Sequence, residues 1–242
     1  ANVHAMDSRK DTALSLCASN TPSSDVLSIA RMLISRGAEV NGVGRFTTGC
    51  SLLNHIVAAL QHNEYTAEIV KLFIDAGANA NNCDIHGCTA LTYTLITRMA
   101  LHSAHYGINQ HTTQVVKLLL EADVGLNVHH EDTLRRWLQG VQRFTGAHAD
   151  ILELLVKAGA SVNRNASGFH RTLLKSVVTN TYCYDQQTER MVRLLIDAGA
   201  DVNTQSPLSV VVHRLRETQT AERIAEMLVR AGADVKINNH FT

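Results

Sequence analysis

Proline is nearly absent from this 242-residue chain: only Pro22 and Pro207 occur. Aromatic residues make up 5%, so any core must be filled by Leu, Ile, Val and Ala. Net charge is also missing, with 22 Lys+Arg against 22 Asp+Glu. A protein that grips polyanions by bulk charge normally carries a basic excess, so nucleic acid is not an expected partner. No apolar run reaches the roughly 18 residues a membrane helix needs, and no secretory leader pattern opens the sequence. The five cysteines, Cys17, Cys50, Cys83, Cys88 and Cys183, include no CxxC pair. Four residues separate Cys83 from Cys88, which is wrong for a redox motif. An odd, scattered set reads as reduced thiols in a cytosol-like compartment. The nucleus, or a host cytosol for a bacterial effector, is a variant of the same reading. GxSxG, P-loop and GxGxxG patterns are missing too, so no enzyme and no cofactor are expected.

What is present, at 45% apolar residues, is a repeated phrase. It is an apolar doublet, a charged residue, an apolar triplet, two spacers, then Gly-Ala-x-Val-Asn. It stands at Ile29–Asn41 (IARMLISRGAEVN), Ile69–Asn81 (IVKLFIDAGANAN), Ile151–Asn163 (ILELLVKAGASVN) and Met191–Asn203 (MVRLLIDAGADVN). Val115–Asn127 has Asp123-Val124 in place of Gly-Ala, and Ile224–Lys236 ends in Lys236. Ile151, Leu152, Leu154, Leu155 and Val156 form a stripe at helical spacing. Gly159 then stops the helix, because a left-handed C′ position costs glycine least. Asn163 and its equivalents stand where a turn begins, with a side chain suited to bonding nearby backbone.

A second element precedes each phrase. Asp84-Ile-His-Gly-Cys-Thr-Ala-Leu91 is its clearest copy, and Asp7 to Thr12 keeps the same spacing. Thr12, Ser51, Thr89, Thr172 and Ser206 suit the cap of a short first helix, with Pro207 at N1. Its buried face is Leu14/Cys17/Ala18, Leu53/Ile56/Val57, Leu174/Val177/Val178 and Leu208/Val211/Val212, with Leu134/Trp137/Leu138 in the fourth copy. Trp137 is therefore assigned to the core.

On these residues the chain resembles the ankyrin repeat family over essentially its whole length. The resemblance implies an all-α solenoid of about six helix-turn-helix repeats joined by β-turn or hairpin loops. The expected repeats, 5–41, 42–81, 82–127, 128–163, 164–203 and 204–236, form a single array over 1–242. Repeat ends at His4, Asn41, Asn81, Asn127, Asn163, Asn203 and Lys236 are spaced 37, 40, 46, 36, 40 and 33 residues apart, against about 33 for the standard repeat. Lengthened helices, by about one turn, and an insertion near 98–112 account for the excess. Ala1-Asn2-Val3-His4 matches a repeat tail, there is no initiator Met, and neither end shows a polar cap. A monomeric array excised from a longer chain is expected.

The resemblance implies a protein-interaction module that holds a protein or peptide on the concave side made by turns and first helices. The other reading is the target-recognition or regulatory domain of a larger enzyme, ubiquitin ligase, channel or bacterial effector. Acids fall on the second helices: Glu64, Glu68, Asp75, Asp150, Glu153, Glu189, Asp197, Glu222 and Glu226. Bases and aromatics fall on turns and first helices, giving a candidate binding set of Arg45, Phe46, His86, Tyr93, His129, His130, Arg135, Arg136, His170, Arg171 and Lys175. An acidic partner would be steered to such a side. The histidine pair His129-His130 and the trio His102, His105 and His111 match no zinc spacing, so no metal is expected. By resemblance alone, Asn41, Asn81, Asn163 and Asn203 stand where asparaginyl hydroxylases act.

Overall fold

The computed structural model describes residues 2–42, 49–58, 62–100, 108–122, 133–135, 137–138, 141, 143–163, 172–180, 184–215 and 218–235. Two compact units divide the chain at His130/Glu131. The first contains α1 (Ala13–Ala18), α2 (Ser24–Ser35), α3 (Leu52–Val57), α4 (Glu64–Asp75), α5 (Ala90–Ala100) and α6 (Gln110–Glu121). The second contains α7 (Gly146–Lys157), α8 (Leu173–Asn180), α9 (Gln186–Asp197), α10 (Pro207–His213) and α11 (Gln219–Arg230). Helical residues 133–135 and 137–138 precede α7. Among the described residues there is no strand, and Met6 and Thr12 form an isolated bridge.

Each unit has two rows. In the first, inner helices α1, α3 and α5 pack side by side, outer helices α2, α4 and α6 do the same, and each inner helix packs on its own outer one. In the second, α8 and α10 form the inner row, and α7, α9 and α11 the outer row. The core lies between the rows, where Leu53, Ile56, Val57, Val70, Phe73, Leu174, Val177 and Leu195 are buried.

Local chemistry sets the helix ends. Thr12 and Ser51 cap the inner helices α1 and α3 through their hydroxyls. Ser206 departs from that pattern: it sits at φ 46° and makes no side-chain cap, leaving the start of α10 to Pro207. After the outer helices, Gly37, Gly77, Gly159, Gly199 and Gly232 all lie at φ between 80° and 92°. A Cβ at Gly77 would meet nothing within 4 Å, so the backbone angle alone selects glycine there. The turn closes as a Schellman motif: Gly77 N–H donates to Ile74 C=O at 2.9 Å and Ala78 N–H to Phe73 C=O at 2.9 Å.

The extra length has a definite place. Every outer helix is twelve residues long and begins five residues before the apolar doublet. From the residue ahead of its cap (Pro22, His62, Ile108, Phe144, Tyr184) to the repeat end, the chain always counts nineteen further residues. All variation in repeat length therefore falls between one repeat end and the next outer helix. The apolar stripe also needs correction: Ile151, Leu152 and Leu155 are buried, but Leu154 and Val156 are only half-buried.

Candidate protein-binding surface

The turns are built by carboxylates. Asp84 Oδ1 accepts from His86 N–H at 2.9 Å and from Cys88 N–H at 2.8 Å. Asp7 Oδ1 repeats this with Arg9 N–H at 2.8 Å and Asp11 N–H at 2.9 Å. Tyr93 donates its hydroxyl to Asp84 Oδ2 at 2.7 Å, and Cys50 Sγ lies 3.1 Å from the Tyr93 hydroxyl oxygen. Burial pushes the Asp84 carboxyl up, but the hydrogen bonds from Tyr93, Cys88 and His86 outweigh it and hold the group below its ordinary value. Burial, then the bonds to Cys50 and Asp84, push the Tyr93 phenol up. Tyr93 therefore stays protonated and ties its own turn to Cys50 of the preceding copy.

Of the sequence-predicted binding residues, His86 lies exposed on a turn tip, beside Ile85 with 71% of its surface open to solvent. Tyr93 is half-buried with its hydroxyl engaged as above. Lys175 is half-buried and donates to Ser206 C=O at 3.3 Å. Arg135 retains only 9% exposure, contrary to its expected place on an open surface. Arg45, Phe46, His129, His130, Arg136, His170 and Arg171 lie outside the described residues. Another exposed tip, among the described residues of the first unit, carries Met6, at 65% exposure, with Arg9 and Lys10.

The outer helices are not uniformly acidic. Bases interleave with the acids on the outer helices. Arg190 bridges Asp150 at 2.7 Å and Glu153 at 2.8 Å, and Glu189 holds Arg193 at 3.1 Å and Arg223 at 3.3 Å. Lys71, Lys117, Lys157, Arg190, Arg193, Arg223 and Arg230 stand on the same helices as the acids.

The repeat-ending asparagines act across copies rather than locally. Asn41 donates Nδ2 to Gly77 C=O at 3.0 Å and accepts Asn79 N–H at 2.8 Å. Asn163 makes the same pair with Gly199 and Asp201, and Asn203 with Gly232 and Asp234. Each fills the backbone groups left at the next copy's helix end.

Sequence reasoning missed a second clamp. Asn63 caps α4 and reaches back to Pro22 C=O at 2.8 Å, and Asn109 caps α6 and reaches His62 C=O at 3.1 Å. His62 is itself buried, with Nε2 2.9 Å from Val57 C=O and Nδ1 3.1 Å from Thr112 Oγ1. The signal was available: a cap residue followed at the third position by Thr66, Thr112 or Thr188, in step with the repeat ends. In the fourth copy that position is His148. Its Nδ1 accepts Thr145 N–H at 3.1 Å, and its ring stacks on Trp137 at 5.7 Å. Burial lowers its pKa to about 4. Trp137, at 1% exposure, is in the core as expected.

Among the described residues no group of three or more His, Cys, Asp or Glu could hold a metal ion, and no helix is long and apolar enough to cross a membrane. His102, His105, His129 and His130 lie outside the described residues.

No family model matches this chain. An ankyrin repeat protein of Acanthamoeba polyphaga mimivirus is 26% identical to it over 143 residues, 59% of this chain and 22% of that protein's length. Among solved structures, the chain is similar to the human ASB11 ankyrin repeat domain: TM-score 0.61, 19% identity, 93% of this chain and 86% of that one. It is also similar to the ankyrin repeat domain of Bcl-3, a member of the IkappaB protein family: TM-score 0.59, 22% identity, 93% and 87% coverage. The ankyrin repeat protein EF0377 gives a TM-score of 0.60 at 18% identity, covering 90% of this chain and 96% of its own. The fold is the ankyrin-repeat fold.

Proposed function

We propose that this chain is a protein-binding module whose six copies form one array and hold a partner protein or peptide on the turns and inner helices. Ankyrin-repeat folds are generally protein-interaction modules, and fold alone does not name a partner. The observation that carries the reading is the contrast between filled interior and open tips. Ile85 and Met6 stand 71% and 65% exposed on turns whose shape is held by Asp84 and Asp7. Large apolar side chains kept in solvent on built turns are typical anchors for a second protein. Arg9, Lys10 and His86 beside them favour an acidic partner segment. Arg45, Phe46, His129, His130, Arg136, His170 and Arg171 belong to the same proposed face, while Arg135 does not.

The test is the double substitution Ile85→Asp with His86→Ala. Partner capture from extract, then titration of the captured protein, should show at least a tenfold loss of affinity with an unchanged melting curve. Unchanged affinity refutes the turn face as the binding site. A second reading, that the array recognises targets for a larger enzyme, ligase, channel or effector, is favoured by the viral relative, of which only 22% is matched.

A further inference from the structure

One side of α2 is uncovered. Ile29 and Met32 are 43% and 47% exposed, Val26 and Leu33 are half-buried, and Leu16 of α1 is 41% exposed. The same register positions can be followed through the four copies whose predecessor lies in the same unit. Ile29 corresponds to Ile69, Val115, Met191 and Ile224, all 2% exposed or less. Leu33 corresponds to Phe73, Leu119, Leu195 and Leu228, and Val26 to Thr66, Thr112, Thr188 and Ala221, all fully buried. In those copies the preceding outer helix provides the cover: α2 lies on α4, α4 on α6, α7 on α9, and α9 on α11.

A copy that ended a stack would carry polar residues at these positions. Here they are Val, Ile, Met and Leu. Residues 2–5 already have the shape of a copy's tail. His4 N–H bonds Asn2 Oδ1 at 3.0 Å and Ala5 N–H bonds Asn2 C=O at 3.2 Å. Asn81 and Asn82 bond Asn79 in the same two ways, at 2.9 and 3.2 Å. In that copy the turn follows directly from an outer helix.

We propose that this side of the first copy is a repeat-docking face, and that the occupant it fits is one further helix pair of the same repeat, joined in cis through the turn at Asn2–Ala5. It continues an interface the molecule already makes four times, and it is independent of what the turn tips bind.

The test grafts the chain's own residues 172–203 ahead of Ala5, with Asn203 in the place of His4. The melting temperature of the first unit should rise by at least about 4 °C, and amide exchange in α2 should slow at least tenfold, toward that of α4. Ile29→Glu in the graft should erase both gains. In the unmodified chain Ile29→Glu should shift melting by less than about 1 °C, while Ile69→Glu should unfold the unit. This arm decides the matter even if the graft does not fold. An Ile29→Glu loss equal to that of Ile69→Glu would show the face already covered and overturn the proposal. So would a folded graft with neither gain. Concentration-dependent sedimentation of the unmodified chain, abolished by Ile29→Glu, would assign the face to a second copy instead.

Discussion

Each copy has a constant half and a variable half. The constant half runs from the residue before the outer-helix cap to the repeat end, always nineteen residues on. It carries the cap and the twelve-residue helix, with a Schellman turn at Gly37, Gly77, Gly159, Gly199 and Gly232, and Asn41, Asn163 and Asn203 reach the next copy. The variable half holds the turn, the inner helix and the connection, and it absorbs every change in spacing. The outer row is where successive copies must keep register, so an insertion there would displace two interfaces at once. An insertion in the connection only lengthens a surface segment, which costs little. Partner contacts can diverge in the second half because register is set in the first.

The strongest way to break this division is to hollow the constant half. Phe73 on α4 is fully buried. Phe73→Ala should cost about 3–5 kcal/mol and split the unfolding of the first unit into more than one transition, because copies are coupled mainly through neighbours. Urea denaturation followed by circular dichroism measures both. A similar loss from an alanine at exposed Ile85 would contradict the division. The half-buried Leu154, although part of the apolar phrase, should be the milder target beside Leu155.

A smaller effect comes from the one copy whose third outer-helix position is a histidine instead of threonine. Burial lowers the pKa of His148 from its ordinary 6.5 to about 4, so the folded chain favours the neutral ring and the unfolded chain binds the proton first. Stability is full above about pH 6.5 and falls as the pH drops toward 4. The total loss is about 3 kcal/mol. The geometry agrees, since Nδ1 accepts Thr145 N–H and a protonated ring could not. Between pH 7 and pH 5 the second unit should lose about 2 kcal/mol, read as a lower urea midpoint. His148→Thr should flatten that dependence; an identical slope in the variant would assign the loss to other groups.

The constant half was largely legible in the sequence, because its signals are steric. A left-handed turn selects Gly77, and an apolar doublet at helical spacing marks Ile69 and Val70. The cap row at His62, Asn63 and Thr66 shows in the sequence only as excess length, since no helix boundary is visible without knowing where a connection stops. The stripe could not separate Leu154 from Leu155, because both are apolar and only packing distinguishes them. The candidate site was less legible. Register placed Tyr93 on the first helix but could not reveal that Asp84, nine residues earlier, accepts its hydroxyl. Charge marks Arg135 as a base but says nothing of its burial. The acids alone suggest a polarised back, and the bases on the same helices, paired around Arg190 and Glu189, offset part of it.

The smallest effect sharpens the contrast from the variable side. Lys10 stands at φ 65°, the left-handed region, where the third copy has Gly87 at φ 74°. A Cβ there costs about 1–2 kcal/mol, while glycine gives back roughly 0.5–1 kcal/mol through the freedom it adds to the unfolded chain. Lys10→Gly should therefore stabilise the first unit by about 0.5 kcal/mol or leave it unchanged, measured as the urea midpoint at constant slope. The side chain is exposed, and the turn is held by Asp7 through backbone N–H groups that any residue supplies. The substitution removes one positive charge from a tip beside Met6, so affinity for an acidic partner should fall and become less sensitive to salt. A stability gain with weaker binding would mean that this turn keeps a strained lysine for contact. Loss of stability would instead place Lys10 among the residues that hold the fold, and the variable half would no longer be free.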